Sequence, residues 1–181
     1  MACILQRTFQ LETSAKSFEE TLPQLQPSDP TWGYAWLGYS ETLLRLGRAA
    51  EALETSQKAI AAFADTSLSF YLIRAKILLS YAYLYTNQPE AAKTQALDAL
   101  KVAKQNSISY FYGDWYWEVG KIFIALQEPD TLKYVQSTFE FYQGINDIYS
   151  LKFIAKEAKN LYLANGQKQN HAWVEDFLAR L

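Results

Sequence analysis

What most limits how this chain can fold is that it restates itself every forty residues. "LGRAAEALETSQKAI" runs from Leu46 to Ile60 and "TNQPEAAKTQALDAL" from Thr86 to Leu100, each passing from a short turn into a stretch with alanines seven apart. With Gly47, Asn87 and Gln127 aligned, three units fall into register without an insertion. In the first half of each unit Trp36, Lys76 and Tyr116 correspond, as do Tyr39, Leu79 and Val119. Ser40, Ser80 and Gly120 follow, then Leu43, Tyr83 and Phe123. In the second half Ala52, Ala92 and Leu132 correspond, and so do Ala59, Ala99 and Phe139. A period of this length marks stacked supersecondary units, none of which can bury its apolar face alone.

Within a unit the spacing is helical. Trp36, Tyr39, Ser40 and Leu43 fall at i, i+3, i+4 and i+7, and Ala52, Ser56, Ala59, Ile60 and Phe63 form a stripe of the same helical kind. Small residues at such a contact let two helix backbones approach closely, so the paired helices should pack tightly around Ala52 and Ala59. Asp29 before Pro30 reads as a cap with proline at the first helical position. Gln88-Pro89 and Glu128-Pro129 open helices similarly, and Gly144-Ile145-Asn146-Asp147 closes one helix and caps the next. The pattern predicts helices over 3–22, 30–46, 48–64, 67–86, 89–105, 108–127, 129–143, 147–164 and 168–180, with no sustained strand alternation. The expected fold class is all-α: one repeat domain over 1–181, with repeats at 30–66, 67–106 and 107–146. Residues 1–29 (Ile4, Leu11, Ala15, Phe18 and Leu22, then a linker) and the pair 147–181 cover its ends.

These residues resemble the tetratricopeptide repeat family. Its pattern places a large aromatic, a Leu/small pair and a second aromatic in the first helix, then a glycine turn, then spaced alanines. Trp36, Tyr39, Ser40, Leu43, Gly47, Ala52, Ala59 and Ile60 carry it best; the resemblance extends over about residues 30–164. The second unit departs from it at Lys76 and the third at Leu132 and Phe139. The family's usual period is about 34 residues, so a period of 40 lengthens each helix by just under a turn. Long-period arrays of this kind resemble those of bacterial regulators and sensors. HEAT and armadillo solenoids are the alternative, with the alanine spacing favouring the first family. The resemblance implies a right-handed α-α superhelix whose first helices line a concave groove.

Composition narrows the function classes. The net charge is −2 and the pI near 5.5, whereas a phosphate-tracking groove needs a basic face, so a nucleic-acid partner is not expected. The single cysteine, Cys3, excludes an internal disulfide. The start "MACILQRTFQLE" makes a poor signal peptide, and no uncharged apolar run nears the roughly 20 residues of a membrane helix. The chain therefore reads as cytoplasmic, with no membrane insertion. Neither His171 nor Cys3 has an evident oriented partner, and phosphate loops and metal-spaced ligand sets are missing. No catalytic residue, metal or cofactor is expected.

The groove lining follows from the register that the resemblance supplies. Its rungs are Tyr34, Arg74 and Asp114; Leu37, Ile77 and Trp117; Glu41, Tyr81 and Lys121; and Arg45, Tyr85 with Ala125. Aromatic rings mixed with both charges suit an extended peptide or a partner helix. The plain structural alternative pairs Arg74 with Asp114 and uses the apolar rung to stitch neighbouring units. The family's carboxylate clamp would fall on Leu37, Glu41, Leu78, Asp114 and Glu118, none of which can donate to a carboxylate. In "YFYGDWYWEVG", Tyr112, Tyr116, Val119 and Phe123 are expected in the core, with Tyr110, Asp114, Trp117 and Lys121 on another face; Phe139, Phe141 and Tyr142 are expected in the core as well. The leading expectation is a non-catalytic scaffold that binds a protein or peptide. A sensory module of a larger regulator, closing on a small peptide or metabolite, is the second reading, and self-association into a homo-oligomer the third.

Overall fold

The computed structural model describes residues 2–106 and 111–181, with side chains from Phe9 onward. Among these residues the regular structure is all helical, as the periodicity requires. The α-helices are α1 (Ala2–Thr21), α2 (Trp32–Arg45), α3 (Ala49–Phe63), α4 (Ser69–Tyr85), α5 (Pro89–Gln105), α6 (Tyr112–Ala125), α7 (Thr131–Gly144), α8 (Ile148–Ala164) and α9 (Lys168–Ala179). A 3-10 turn, Leu22–Gln24, follows α1. The starts of α2, α4 and α7 lie two residues later than expected. Asp29 accepts from the Thr31 amide and hydroxyl instead of capping a helix, so α2 begins at Trp32 and not at Pro30. Likewise α7 begins at Thr131, beyond Pro129. The expected start at 108 and Tyr110 lie outside the described residues, as do the side chains of Cys3 and Ile4.

The turns explain the beat. Gly47, Asn87 and Gln127 all adopt the left-handed conformation, with φ of 77°, 60° and 56°. In each the next amide reaches back five residues, Arg48 to the Leu43 carbonyl, Gln88 to Tyr83 and Glu128 to Phe123. The left-handed residue's own amide bonds Leu44, Leu84 or Ile124. This Schellman pairing satisfies carbonyls that a helix end leaves orphaned. Asn146 and Gly166 repeat it, at φ 58° and 69°. Asn146, not the Gly144 that the sequence suggests, takes the left-handed position, and Asp147 caps α8 by accepting from the Ser150 amide.

The chain divides into two compact units, residues 1–102 and 103–181. In the first, α3 folds back on α2: Ser40 meets Ser56 hydroxyl to hydroxyl, while the Gly33 backbone lies against Ala62 and Phe63. As one index rises the other falls, so the hairpin is antiparallel. The same construction joins α4 to α5, where the Ser80 hydroxyl donates to the Ala92 carbonyl. Ala52, Ala59, Ala92, Ala96 and Ala99 are completely buried, as close helix approach demands. The unusual Lys76 has a local solution. Trp36 carries the Lys58 ammonium over its ring at 4.2 Å, whereas Lys76 bonds Asp98, forty residues after Lys58. A cation–π contact in one hairpin thus becomes an ion pair in the next, with both partners exchanged. At the near end Glu19 of α1 accepts from Tyr39 Oη at 2.8 Å and from Arg48 at 3.1 Å.

In the second unit Gly120 lies against Tyr134 and Val135, and Gly113 against the Phe141 ring, so α7 folds back on α6. α9 folds back on α8 in turn, with Lys159 bonded to Glu175 at 2.7 Å. The core gathers Ile124, Val135, Phe139, Leu151, Tyr162 and Val174 around Trp117. Phe139 stacks on Trp173 and packs against Phe177, at ring separations of 5.8 and 4.5 Å. The replacement of a repeat alanine by Phe139 therefore fills space that α9 closes. Phe123, Val119 and Tyr142 are buried as expected, whereas Tyr112, Tyr116 and Phe141 are half-buried.

Two outcomes follow from these contacts. Gly47→Ala adds a Cβ that meets no atom within 4 Å, so its cost is purely conformational, about 1 kcal/mol. Gln127→Gly relieves the same strain and should stabilise by up to about 1 kcal/mol; urea denaturation of both variants reads the opposite signs. Tyr39 and Arg48 together hold the Glu19 carboxyl below its ordinary range, and burial with the Glu19 bond pushes the Tyr39 phenol up to about 12. Folded Glu19 stays ionised where the unfolded chain would bind a proton, so its contribution is complete above the ordinary carboxylate range and fades as pH falls through the lowered value. Glu19→Gln should therefore flatten the acid limb of a plot of urea midpoint against pH, and an unchanged limb would remove Glu19 from the account.

Candidate functional site

The first helix of each hairpin offers the residues expected in the groove, and the structure sorts them into three groups. Leu37, Ile77 and Trp117 are buried, at 6%, 4% and 6% exposure. They do not form a wall that a ligand could touch. Leu37 packs with Ala59, Phe63 and Ala75, while Trp117 lies in the second unit's core and donates its indole N–H to Glu157 of α8 at 3.3 Å. Of the two readings of Trp117, on an open wall or packed under the next pair, the buried one is found: Leu37 and Trp117 each face the next first helix, α4 and α8 respectively.

A second group pairs internally. Arg74 bonds Glu41, and Asp114 accepts from the Tyr142 hydroxyl. Burial, then the Asp114 bond, raises the Tyr142 phenol well above its ordinary range. Lys121 bonds Glu118 at 2.7 Å, with its ammonium 5.7 Å from the Trp117 ring centre. The Arg74 and Glu41 side chains keep 43% and 35% of their surface in contact with solvent. Such a pair stabilises the fold weakly, by about 0–1 kcal/mol, and leaves its outer edge able to bond elsewhere.

The third group is open. Tyr34 stands edge-on to Tyr71 and Phe63, at ring separations of 4.7 and 5.4 Å. Tyr81 and Tyr85, one turn apart on α4, stack at 6.0 Å with 25° between their planes, and Tyr85 is 62% exposed. Arg45 is exposed on α2 and has no ion-pair partner among the described residues. Within the first unit, α2 and α4 run parallel, since Tyr34 meets Tyr71 and Glu41 meets Arg74 in ascending order. Their shared face thus carries a tyrosine pair at one end, an ion pair between, and a second tyrosine pair with a cation at the other. Tyr71 is the member that the sequence reading missed, because the aligned rung position in the next unit is Arg74 and the stacking partner lies three residues earlier.

In the second unit a cleft of about 440 Å³ opens between the α6–α7 and α8–α9 turns, lined by Glu128, Gln167, Lys168 and Asn170 among others. Its amides are largely committed to one another. Thr131 Oγ1 donates to Gln167, which donates to the Ile124 carbonyl, and Asn170 donates to both Thr131 and Gln167. The cleft joins two turns and presents no poised chemistry. Among the described residues no group of three or more His, Cys, Asp or Glu side chains could hold a metal ion. No described helix is long and apolar enough to cross a membrane. No family model matches the sequence, and the search of curated proteins found no match.

The division between buried and open positions is measurable. Trp117→Ala should cost about 3–5 kcal/mol of stability through the cavity it leaves, seen as a lowered urea midpoint. Tyr85→Ala should stay within about 0.5 kcal/mol of the parent. Equal effects for the two substitutions would contradict this assignment.

Proposed function

We propose that the chain is a helical-repeat scaffold of tetratricopeptide type that holds an extended segment of a partner protein on the face shared by α2 and α4. The role is non-catalytic and needs no cofactor. The Tyr81–Tyr85 pair carries this reading. Alternate side chains of an extended peptide lie about 6.6 Å apart on one side, and the two rings stand 6.0 Å apart. Each ring can therefore cover one of two alternate side chains. Tyrosine gives large contact area for little lost rotamer freedom, the property that makes it recur among dominant binding residues. Arg45 adds a cation one turn beyond Glu41, and the solvent edge of the Glu41–Arg74 pair offers both polarities to the peptide backbone. The absence of donors at Leu37, Glu41, Leu78, Asp114 and Glu118 argues against a terminal carboxylate as the group gripped; an internal segment with an acidic residue suits Arg45 better.

Pull-down from the source cell with the parent protein and with Tyr81→Ala/Tyr85→Ala tests the reading. The double variant should keep its helicity and lose the captured partner, with affinity falling at least tenfold if each ring contributes about 1 kcal/mol. A partner held equally by both proteins would place the binding surface elsewhere.

A further inference from the structure

The second unit carries an exposed apolar surface that the groove does not account for. Ile145, Tyr149 and Phe153 are 55%, 84% and 63% exposed, and Ile148 beside them is 39% exposed. Ile148, Tyr149 and Phe153 lie in the first half of α8 and Ile145 in the turn before it, with Lys152 and Lys156 exposed on α8. Neither lysine has an ion-pair partner among the described residues. The carboxylates near them are engaged: Asp147 caps Ser150, and Glu157 accepts from Trp117. Four large exposed apolar side chains in succession, beside two unpaired cations, form the kind of patch that marks a contact surface.

The fold itself shows what covers such a face. Counting back from the left-handed turn residue, the thirteenth, tenth and sixth positions are Tyr34, Leu37 and Glu41 in α2. All three touch α4, through Tyr71, Ala75 and Arg74. In α6 the tenth position is Trp117, which bonds Glu157 of α8. Counting back from Gly166 in α8 gives Phe153, Lys156 and Asn160, all exposed. α8 therefore presents the face that α2 gives to α4 and α6 gives to α8. In α2 the sealing contact pairs a carboxylate with a cation from the incoming helix; in α6 an N–H meets an incoming carboxylate. At the place of Trp117 α8 offers Lys156, with Lys152 one turn before it, and at the place of Glu41 it offers Asn160.

We infer that the exposed face of α8 is a docking site for an acidic amphipathic helix of another protein, lying parallel to α8 as the next helix of the array. Its apolar stripe covers Tyr149 and Phe153, and two carboxylates one turn apart meet Lys152 and Lys156. This site lies in the second unit and does not depend on the α2–α4 face.

The test uses the whole chain and two designed 20-residue helical peptides that share one leucine stripe, flanked by glutamates in the first and by lysines in the second. Fluorescence anisotropy should show saturable binding of the acidic peptide and at least tenfold weaker binding of the basic one. Lys152→Glu/Lys156→Glu should weaken the acidic peptide about tenfold and strengthen the basic one, a reversal that misfolding cannot produce. Phe153→Ala should weaken both, whereas Tyr81→Ala/Tyr85→Ala should leave both unchanged and so keep this site separate from the peptide face. Three results would overturn the inference: no saturable binding, binding of either peptide indifferent to the charge reversal, or loss of peptide binding in the tyrosine double variant. Two further arms would reassign the surface. Lysine-dependent binding to phosphatidylserine vesicles without acidic-peptide binding would make it a membrane contact, and concentration-dependent dimerisation lost in Phe153→Ala would make it a self-contact.

Discussion

One residue in the left-handed conformation, followed by an amide reaching back five residues, sets the geometry from which the hairpins follow. It stops a helix at a fixed phase and starts the next with no slack, so facing positions on the two helices are decided by counting from the turn. From that count Ser40 meets Ser56, the Ser80 hydroxyl reaches the Ala92 carbonyl, and Gly120 lies against Val135. A turn one residue longer would rotate the second helix by about 100° and carry its alanines away from the contact. Asn87, Gln127 and Asn146 accept the left-handed strain that Gly47 and Gly166 avoid, which shows how strongly the turn geometry is required.

Small residues and large ones divide the labour. At each crossing a serine, glycine or alanine lets the backbones approach. The aromatic rings then fill the wedge of space to either side, as Phe63 does beside Tyr34 and Phe139 beside Trp173 and Phe177. A buried aromatic side chain contributes on the order of 2–3 kcal/mol through area removed from water, against about 0–1 kcal/mol for an exposed ion pair. Stability therefore lies in the rings and in the alanine contacts that bring them together. The surface pairs Lys133–Asp130, Arg180–Asp176 and Lys58–Glu54 add solubility and little else.

The same economy separates buried from exposed positions on the first helices. On α2 and α6 the side chain ten residues before the turn, Leu37 or Trp117, is trapped against the next first helix and becomes core. One two residues before the turn stays at the rim, as Arg45 and Tyr85 do. Binding can only use what packing leaves over, and the leftover on α2 and α4 is rich in tyrosine.

How much of this was legible beforehand depends on the range of the contact involved. The helices, their order and the shared turn residues follow from period alone, because a helix face and a left-handed turn are local properties written into a few consecutive residues. The start of α2 was misplaced because Asp29 had two local partners to choose from, Thr31 and the helix end, and only geometry selects between them. Trp117 could not be assigned from the sequence: its register puts it on the inner side of α6, and whether that side meets water depends on α8 arriving there with Glu157. The tyrosine face needed coordinates for the same reason, since Tyr34 finds Tyr71, a residue off the aligned rung. Phe153 and Lys156 show the converse, occupying positions filled by buried or paired residues in other units and standing exposed. The sequence by itself therefore determined the hairpins and their phase, which are short-range, whereas burial was decided only by the tertiary structure, because exposure depends on which helix arrives from tens of residues away.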